Sequence, residues 1–433
     1  MATPLAAGYA RGRLHRLLGL SFGVAVTIGN TIGSGILKAP GEIAALLPTP
    51  GLFIGVWAAG GLYALLSALC IAELGTMIPR AGGQYAFARR AFGDYAALVV
   101  GISDWLSTCG SAAVVALVIG EYLAPAHAVP IAVAITLFFA LLQILGVRVS
   151  ARVQEYTSLL KTLAFALLIA ACFAFGGPTS HAAVAPRAGP LLIPLLIALQ
   201  AVIFTYDGWT GVIYFSEEVT DPARDVPRSL FSGVALISAI YLLVNLALVR
   251  LGPLADYAGA PLAVGMAAAK IFGAAGEPAL RGLTIVSMIA AIHAYHLMSA
   301  RVLFGLARDG LFFHRTMEVN RVGTPVPALM VSAGVSILFI LSGTWEQVIG
   351  VLSFFFVANY SVSFASLFIL RRREPAAARP FRTPLYPFLP AATLAGSLAF
   401  LGGSIAGDPR GSLLAVGLLA TSAAVFLALR RRQ

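Results

Sequence analysis

The sequence predicts an all-α integral membrane protein of about twelve transmembrane helices. Of its 433 residues, 59% are hydrophobic and only 11% are charged, against about 25% charged in an ordinary soluble domain. A soluble fold cannot hide that much apolar surface and keep its exterior wet, so lipid is the expected solvent for most of the chain. The apolar residues gather into windows of spanning length, and the cations fall almost wholly between those windows. The formal charge of +11 would on its own also suit a nucleic-acid binder. Its confinement to short connections reads instead as membrane topology, with no nucleic-acid partner.

The windows lie near 18–37, 51–78, 95–123, 128–147, 156–175 and 190–215, then 229–252, 282–306, 326–343, 347–370, 385–406 and 411–429. A further apolar stretch at 260–273 is too brief to span and reads as a loop helix. Arg11, Arg13, His15 and Arg16 before the first window resemble the basic start of a signal peptide. The apolar run continues past the usual length and ends near Lys38-Ala39-Pro40 without a convincing cleavage site, so it reads as a retained first span. Cys70, Cys109 and Cys172 sit inside apolar windows without zinc or disulfide spacing and read as small buried hydrophobes. No metal and no cofactor is expected.

The positive-inside rule tests the count. With the N-terminus cytoplasmic, 22 of the 29 cationic residues fall inside, among them Arg80, Arg89, Arg90, Arg148, Arg152, Arg301, Arg308 and the Arg371–Arg373 run. Six fall outside (Lys38, Arg187, Arg250, Lys270, Arg281 and Arg410), and Lys161 alone lies within a span. A miscounted window would scramble this alternation. Both termini are therefore expected in the cytoplasm.

Two windows do not read as simple helices. The first runs Ile28-Gly29-Asn30-Thr31-Ile32-Gly33-Ser34-Gly35-Ile36, and each glycine weakens a helix by about 1 kcal/mol against alanine. Gly29 and Gly33 also have the spacing of close helix packing through small residues, which leaves packing and a break both open. The sixth window runs Phe204-Thr205-Tyr206-Asp207-Gly208-Trp209-Thr210-Gly211, with an acid at membrane depth, which is a functional hypothesis by default, beside a glycine that permits a break. The two anomalies fall at corresponding depths five windows apart, and an odd number inverts the second unit. Interrupted helices at matching positions are the sequence sign of a carrier's midplane site. Free N–H groups there can hold a carboxylate and free carbonyls an ammonium, and an α-amino acid presents both.

These residues also carry a family resemblance. Ile32-Gly33-Ser34-Gly35-Ile36 resembles the first-helix signature of the amino acid–polyamine–organocation superfamily. Ala72-Glu73-Leu74-Gly75 through Pro79-Arg80-Ala81-Gly82-Gly83-Gln84-Tyr85 is similar to its stretch after the second span. Ser216-Glu217-Glu218-Val219, Asp221-Pro222 and Pro227-Arg228-Ser229 resemble its sixth-helix exit, and Arg308-Asp309-Gly310 with Thr324-Pro325-Val326-Pro327-Ala328 its loop before span nine. The nearest branch is the bacterial relatives of the L-type amino acid transporters. The resemblance implies a LeuT-type fold: a cytoplasmic tail (1–17), a five-helix repeat (18–175), its inverted copy (190–370) and two trailing helices (385–429).

It further implies that Gly33, Ser34 and Gly35, with Ile32 beside them, hold the substrate carboxylate. The amino group would meet carbonyls near Thr31, Phe204 and Asp207. Phe204 matches the family's aromatic gate, Gly208 stands at the break and Trp209 comes next in the second half-helix. Sodium-independent members carry a lysine where Lys161 stands, in place of a sodium site. A fixed ammonium there would tie spans one, five and eight together, and it could also titrate if burial lowers its pKa; the plainer reading is a lysine near the helix end that snorkels to the surface.

The remaining polar residues keep two readings each. Asp207, where many relatives have a small residue, would favour cationic substrates or else pair within the protein, and Asp104 in span three is equally open. His293 and His296 at i,i+3 on span eight are packing residues or else proton or substrate contacts. Glu217 and Glu218 make gating or structural ion pairs or end a solvated helix, and Phe354-Phe355-Phe356 reads as lipid-facing and core packing.

The leading expectation is a sodium-independent carrier of neutral L-amino acids in a bacterial inner membrane, by exchange or proton-coupled uptake. A carrier of cationic amino acids or polyamines is the alternative. No His/Glu metal spacing, GxSxG or Ser/His/Asp set points to an enzyme. A channel or amino-acid sensor is the alternative of another class, against which the short tails weigh. No suitably placed extracellular cysteine is visible for a covalently linked partner, so none is expected to be obligatory.

Overall fold

The computed structural model describes residues 14–33, 35–47, 49–175, 191–342 and 345–430. Within them the chain is helical, as backbone in hydrocarbon must be if its polar groups are to be satisfied within each segment. The helices are α1 (Leu20–Thr31), α2 (Gly35–Leu46), α3 (Pro50–Met77), α4 (Gln84–Phe92), α5 (Asp94–Leu123), α6 (Ala128–Ile144), α7 (Val147–Phe175) and α8 (Leu192–Tyr206). After a 3₁₀ turn at Gly211–Phe215 come α9 (Pro222–Leu251), α10 (Ala263–Phe272), α11 (Gly276–Arg308), α12 (Val326–Leu341), α13 (Trp345–Arg373), α14 (Phe388–Gly407) and α15 (Pro409–Arg430).

Each of the twelve expected windows contains a helix, and 260–273 contains the short α10. Among the described residues nine helices are long and apolar enough to cross a membrane, ten if the bent pair α1–α2 is one span. Of the other two, α12 has only 16 residues. The first window needs correction at its end. Its helix resumes at Gly35 and continues through Pro40 to Leu46 rather than ending near Lys38. Pro40 is the sixth residue of that helix, so it removes the N–H that would bond to the Ile36 carbonyl, and the helix continues across that loss.

Burial separates the helices. In its most apolar stretch α11 is 78% buried, against 28% for the segment of α6, so α11 is central and α6 peripheral. Around α11 pack α5, α7, α12 and α1, while α3 packs against α9 and α8. Glycines allow the close approaches. A Cβ on Gly29 would overlap the Gln154 and Ser158 side chains of α7, whereas one on Gly33 would meet nothing within 4 Å. Of that small-residue pair, only Gly29 is therefore a packing contact.

The end of the molecule that carries Leu14 and the loops after α3, α11 and α13 is held by ion pairs. Glu218 and Arg301 form a fully buried two-pronged pair at 2.9 and 3.0 Å. Arg308 holds Glu217 at 2.6 Å, and Asp309 accepts from both Arg80 and Arg89 at 2.7 Å. Glu73, also buried, takes Arg371, Arg379 and the Thr383 N–H. On the surface the Arg90 guanidinium holds the Glu374 carboxyl below its usual range. A solvated helix end is thus overturned for Glu218, a fully buried charge that is stable only when paired, while Glu217, 27% exposed, makes its ion pair with Arg308. The N-terminal segment is latched to the same place, the Leu17 and Leu18 N–H groups donating to the Glu218 carbonyl at 2.9 and 3.0 Å.

Removing one partner of a buried pair strands a charge and costs about 3–5 kcal/mol, whereas an exposed pair contributes about 0–1 kcal/mol. Arg301→Met should therefore lower the melting temperature of the purified protein far more than Asp256→Asn, which breaks the exposed Lys270–Asp256 pair. Equal shifts for the two variants would contradict this assignment.

Candidate functional site

The first break falls where the sequence places three small residues. Helix α1 ends at Thr31 and α2 begins at Gly35, the two axes meeting at 46°. Helix α8 ends at Tyr206, and Gly208 lies just beyond with φ of +101°, a conformation open to glycine and closed to most other residues. The chain then turns through Trp209 and Thr210 into the short 3₁₀ segment. Both expected interruptions are present, and they touch. The Asn30 side-chain amide donates to the Gly208 carbonyl at 2.8 Å, and a Cβ on Gly208 would lie 2.8–2.9 Å from the Asn30 backbone.

Unwinding frees backbone carbonyls that must find donors away from water. Lys161, fully buried on α7, supplies them: its ammonium donates to the Gly29 carbonyl at 3.0 Å and the Ile32 carbonyl at 2.5 Å. A positive charge also suits the negative end of the α1 dipole. The snorkelling reading of Lys161 is overturned, because the chain points inward. The tie to span eight needs correction as well, since both acceptors are on span one. Span eight is joined to α7 by another pair, His293 Nδ1 against Gln154 Oε1 at 2.9 Å. On span seven the Tyr241 hydroxyl lies 3.1 Å from the carbonyls of both Thr31 and Thr205. Its one proton is shared between the ends of α1 and α8.

A cavity of about 550 Å³ opens from the two breaks toward Lys38 and Glu42, a volume suited to a small molecule. Thr31, Gly33, Gly35, Phe204 and Asp207 line it, together with Thr205, Ser111 of α5, Tyr295 of α11, Phe356 of α13 and Phe400 of α14. The N-terminal end of α2 and the C-terminal end of α8 meet here, Gly35 against Thr205, and helix ends of these two kinds leave N–H groups and carbonyls respectively without partners inside the helix.

Other expected residues lie elsewhere. Ile32 is buried with its carbonyl on Lys161, Gly208 packs against Asn30, and Ser34 lies outside the described residues. Trp209 stacks on Tyr360 with centroids 5.6 Å apart and planes at 7°, and it lines a neighbouring void of about 30 Å³, room for about one water. Asp104 is buried behind the cavity, one oxygen accepting from Tyr214 at 2.8 Å and the other without a partner. His293 and His296 are wholly buried and do not line the cavity; Tyr295 between them does. The Phe354-Phe355-Phe356 run is core packing at its first two residues and is corrected at the third. Phe354 and Phe355 are buried against α15, and Phe356 faces the cavity instead of lipid.

Sequence reasoning missed Tyr360, whose hydroxyl donates to Asp207 at 2.7 Å. It also missed Asn30, Tyr241 and Gln154, each of which satisfies broken or neighbouring backbone. Their one signal was hydrogen-bonding side chains inside or at the edge of apolar windows.

Known proteins resemble this chain along most of its length. A family model described as amino acid permease matches residues 18–420. The chain belongs to that family. It is 26% identical to the serine/threonine exchanger SteT of Bacillus subtilis (strain 168) over 97% of this chain and 98% of that one. It is 30% identical to the Asc-type amino acid transporter 1 of Mus musculus over 87% of this chain and 74% of the relative. The b(0,+)-type amino acid transporter 1 of Mus musculus is 27% identical over 95% and 87% respectively. The permease is thus a multi-pass membrane transporter of the amino acid–polyamine–organocation superfamily, and not an enzyme.

Because Gly208 has both positive φ and a neighbouring backbone in contact, Gly208→Ala must displace span one or strain the turn by about 1–3 kcal/mol. The variant should melt lower and lose substrate uptake. Gly282→Ala, where a Cβ would meet nothing within 4 Å, should melt no lower than the parent. A fully active Gly208→Ala would show that the two breaks need not touch.

Proposed function

We propose that this permease is a sodium-independent secondary transporter of neutral L-amino acids, working by exchange or proton-coupled uptake. The observation that carries the reading is the pair of broken helices facing each other across one cavity, joined by Asn30 and Gly208. The substrate carboxylate is read onto the N–H groups at Gly33, Ser34 and Gly35, and the ammonium onto the carbonyl end of α8 near Phe204 and Asp207. Phe204, 42% exposed beside the cavity, is well placed as the gate. The Bacillus subtilis relative is named an exchanger of serine and threonine, which favours neutral substrates and exchange.

The wider reading has twelve spans in a LeuT-type arrangement of two inverted five-helix repeats plus two trailing helices, with both termini in the cytoplasm of a bacterial inner membrane. The cavity then opens outward, and the ion pairs of Glu217, Glu218, Asp309 and Glu73 close the cytoplasmic side. Transport proceeds by alternating access, in which those pairs part as the cavity shuts. Lys161 is assigned the role of a built-in cation: its ammonium occupies the carbonyls a coupling ion would otherwise need. No obligatory protein partner is invoked.

A second reading, cationic amino acids or polyamines, rests on Asp207 lining the cavity. Against it, Tyr360 already donates to one oxygen of that carboxylate. Asp207→Asn should leave the ranking of alanine, arginine and putrescine unchanged under the neutral reading and abolish uptake of the last two under the cationic one.

Counterflow in proteoliposomes tests the main proposal. Vesicles loaded with serine or alanine should accumulate the labelled amino acid equally with and without sodium, and saturably. Lys161→Met, which leaves the Gly29 and Ile32 carbonyls without their donor, should lose this activity and should not recover it in sodium. A sodium requirement in the parent protein would overturn the role given to Lys161, and flux without saturation would indicate a channel.

A further inference from the structure

At the end of the molecule where the ion pairs gather, seven arginines are engaged: Arg80, Arg89, Arg90, Arg301, Arg308, Arg371 and Arg379 each hold an acid. One corner of that end is different. The start of α7, the turn between α11 and α12 and the N-terminal segment meet there. The Val147 N–H donates to the Val322 carbonyl at 3.3 Å, and the Asn320 side chain donates to the Ile144 carbonyl at 3.1 Å. A Cβ on Gly323 would touch both Val147 and the His15 ring. These contacts bring Arg148, Arg321 and Arg16, the sequence neighbours of Val147, Val322 and His15, to one place, and Arg152 stands one turn above Arg148. All four arginines are exposed, and none is in an ion pair among the described residues.

Two acids lie nearby, Glu155 and Glu318. Glu155 accepts the Ser21 hydroxyl at 2.6 Å, Glu318 is exposed, and neither pairs with an arginine among the described residues. The start of α9 is built differently. There Arg224 and Arg228 stand at the same i,i+4 spacing but are interleaved with Asp221 and Asp225. Arg148 and Arg152 have no such acid between them, and like charges at i,i+4 repel.

The rest of this face of α7 tells which anion would answer the arginines. Continuing at helical spacing from Arg148 and Arg152 come Tyr156, 70% exposed, then Leu159, Leu160, Leu163 and Leu167, the last again 70% exposed. Two cations, an interfacial tyrosine and a leucine stripe in that order match the profile of a phospholipid, from phosphate to acyl chain. A soluble phosphate would use only the cations. We infer that this corner, built from Arg16, Arg148, Arg152 and Arg321 above the leucine stripe of α7, is a binding site for the headgroup of an anionic phospholipid. The lipid would lie on the outer face of the helix whose inner face carries Lys161, bracing the element that satisfies the break in span one.

The test uses the purified full-length protein in detergent supplemented with phosphatidylglycerol, phosphatidylcholine or inorganic phosphate. Melting temperature and lipid retained on native mass spectrometry are the readouts. Phosphatidylglycerol should raise the melting temperature and be retained, whereas phosphatidylcholine and phosphate should do neither. The variant Arg148→Gln/Arg152→Gln/Arg321→Gln should lose both effects, and Arg372→Gln/Arg382→Gln, which removes exposed arginines elsewhere, should keep them. If the triple glutamine variant does not fold, Arg148→Lys/Arg152→Lys/Arg321→Lys takes its place: it should retain phosphatidylglycerol, with the effect falling as salt rises. Equal stabilisation by phosphatidylcholine, full stabilisation by phosphate alone, retention by the glutamine variant or insensitivity of the lysine variant to salt would each overturn the proposal.

Discussion

Backbone opened at membrane depth must have its carbonyls answered, and the rest of this molecule is arranged around that demand. Water cannot supply the donors without filling the core, so side chains do. Lys161 reaches from α7 to the carbonyls of Gly29 and Ile32, Tyr241 from α9 to those of Thr31 and Thr205, and Asn30 to that of Gly208. Each donor comes from a different place in the chain, so the site is assembled only when the whole bundle is. The cost of unwinding is met by residues that also fix where the cavity lies.

Much of the architecture was legible because lipid imposes so few solutions. Apolar windows of helical length had to become helices, and all twelve contain one. The breaks were legible too, from Gly33-Ser34-Gly35 and from Asp207-Gly208. Less legible was anything that depended on which way a side chain turns about its helix. Phe356 and its two neighbours share one composition but face different surroundings, and the histidines at 293 and 296 straddle the residue that does reach the cavity, Tyr295. Period and composition place a residue on a segment; only packing decides what it touches. The end of the first window was misjudged for a related reason, since Pro40 reads as a stop in sequence but sits in the first turns of a second helix.

The polar network behind the cavity shows a second constraint. Asp207 and Asp104 lie on neighbouring elements, and each carboxylate accepts from a tyrosine, Tyr360 and Tyr214 respectively. The same Tyr360 stacks on Trp209, so the residue that holds the acid also holds the indole. Packing and hydrogen bonding are joined in one side chain there, which ties the turn after α8 to α13.

The latch of the N-terminal segment onto the exit of the sixth window carries a kinetic meaning. Leu17 and Leu18 donate to the carbonyl of Glu218, and the carboxylate of that same residue is gripped by Arg301. One residue therefore fastens three stretches of chain that are far apart in sequence. The carbonyl and the carboxylate of Glu218 hold different partners, so the N-terminal segment and span eight are both tied to this one residue. Under the proposed alternating access, opening this end would require the grip on Glu218 from both partners to part, a threshold rather than a spring.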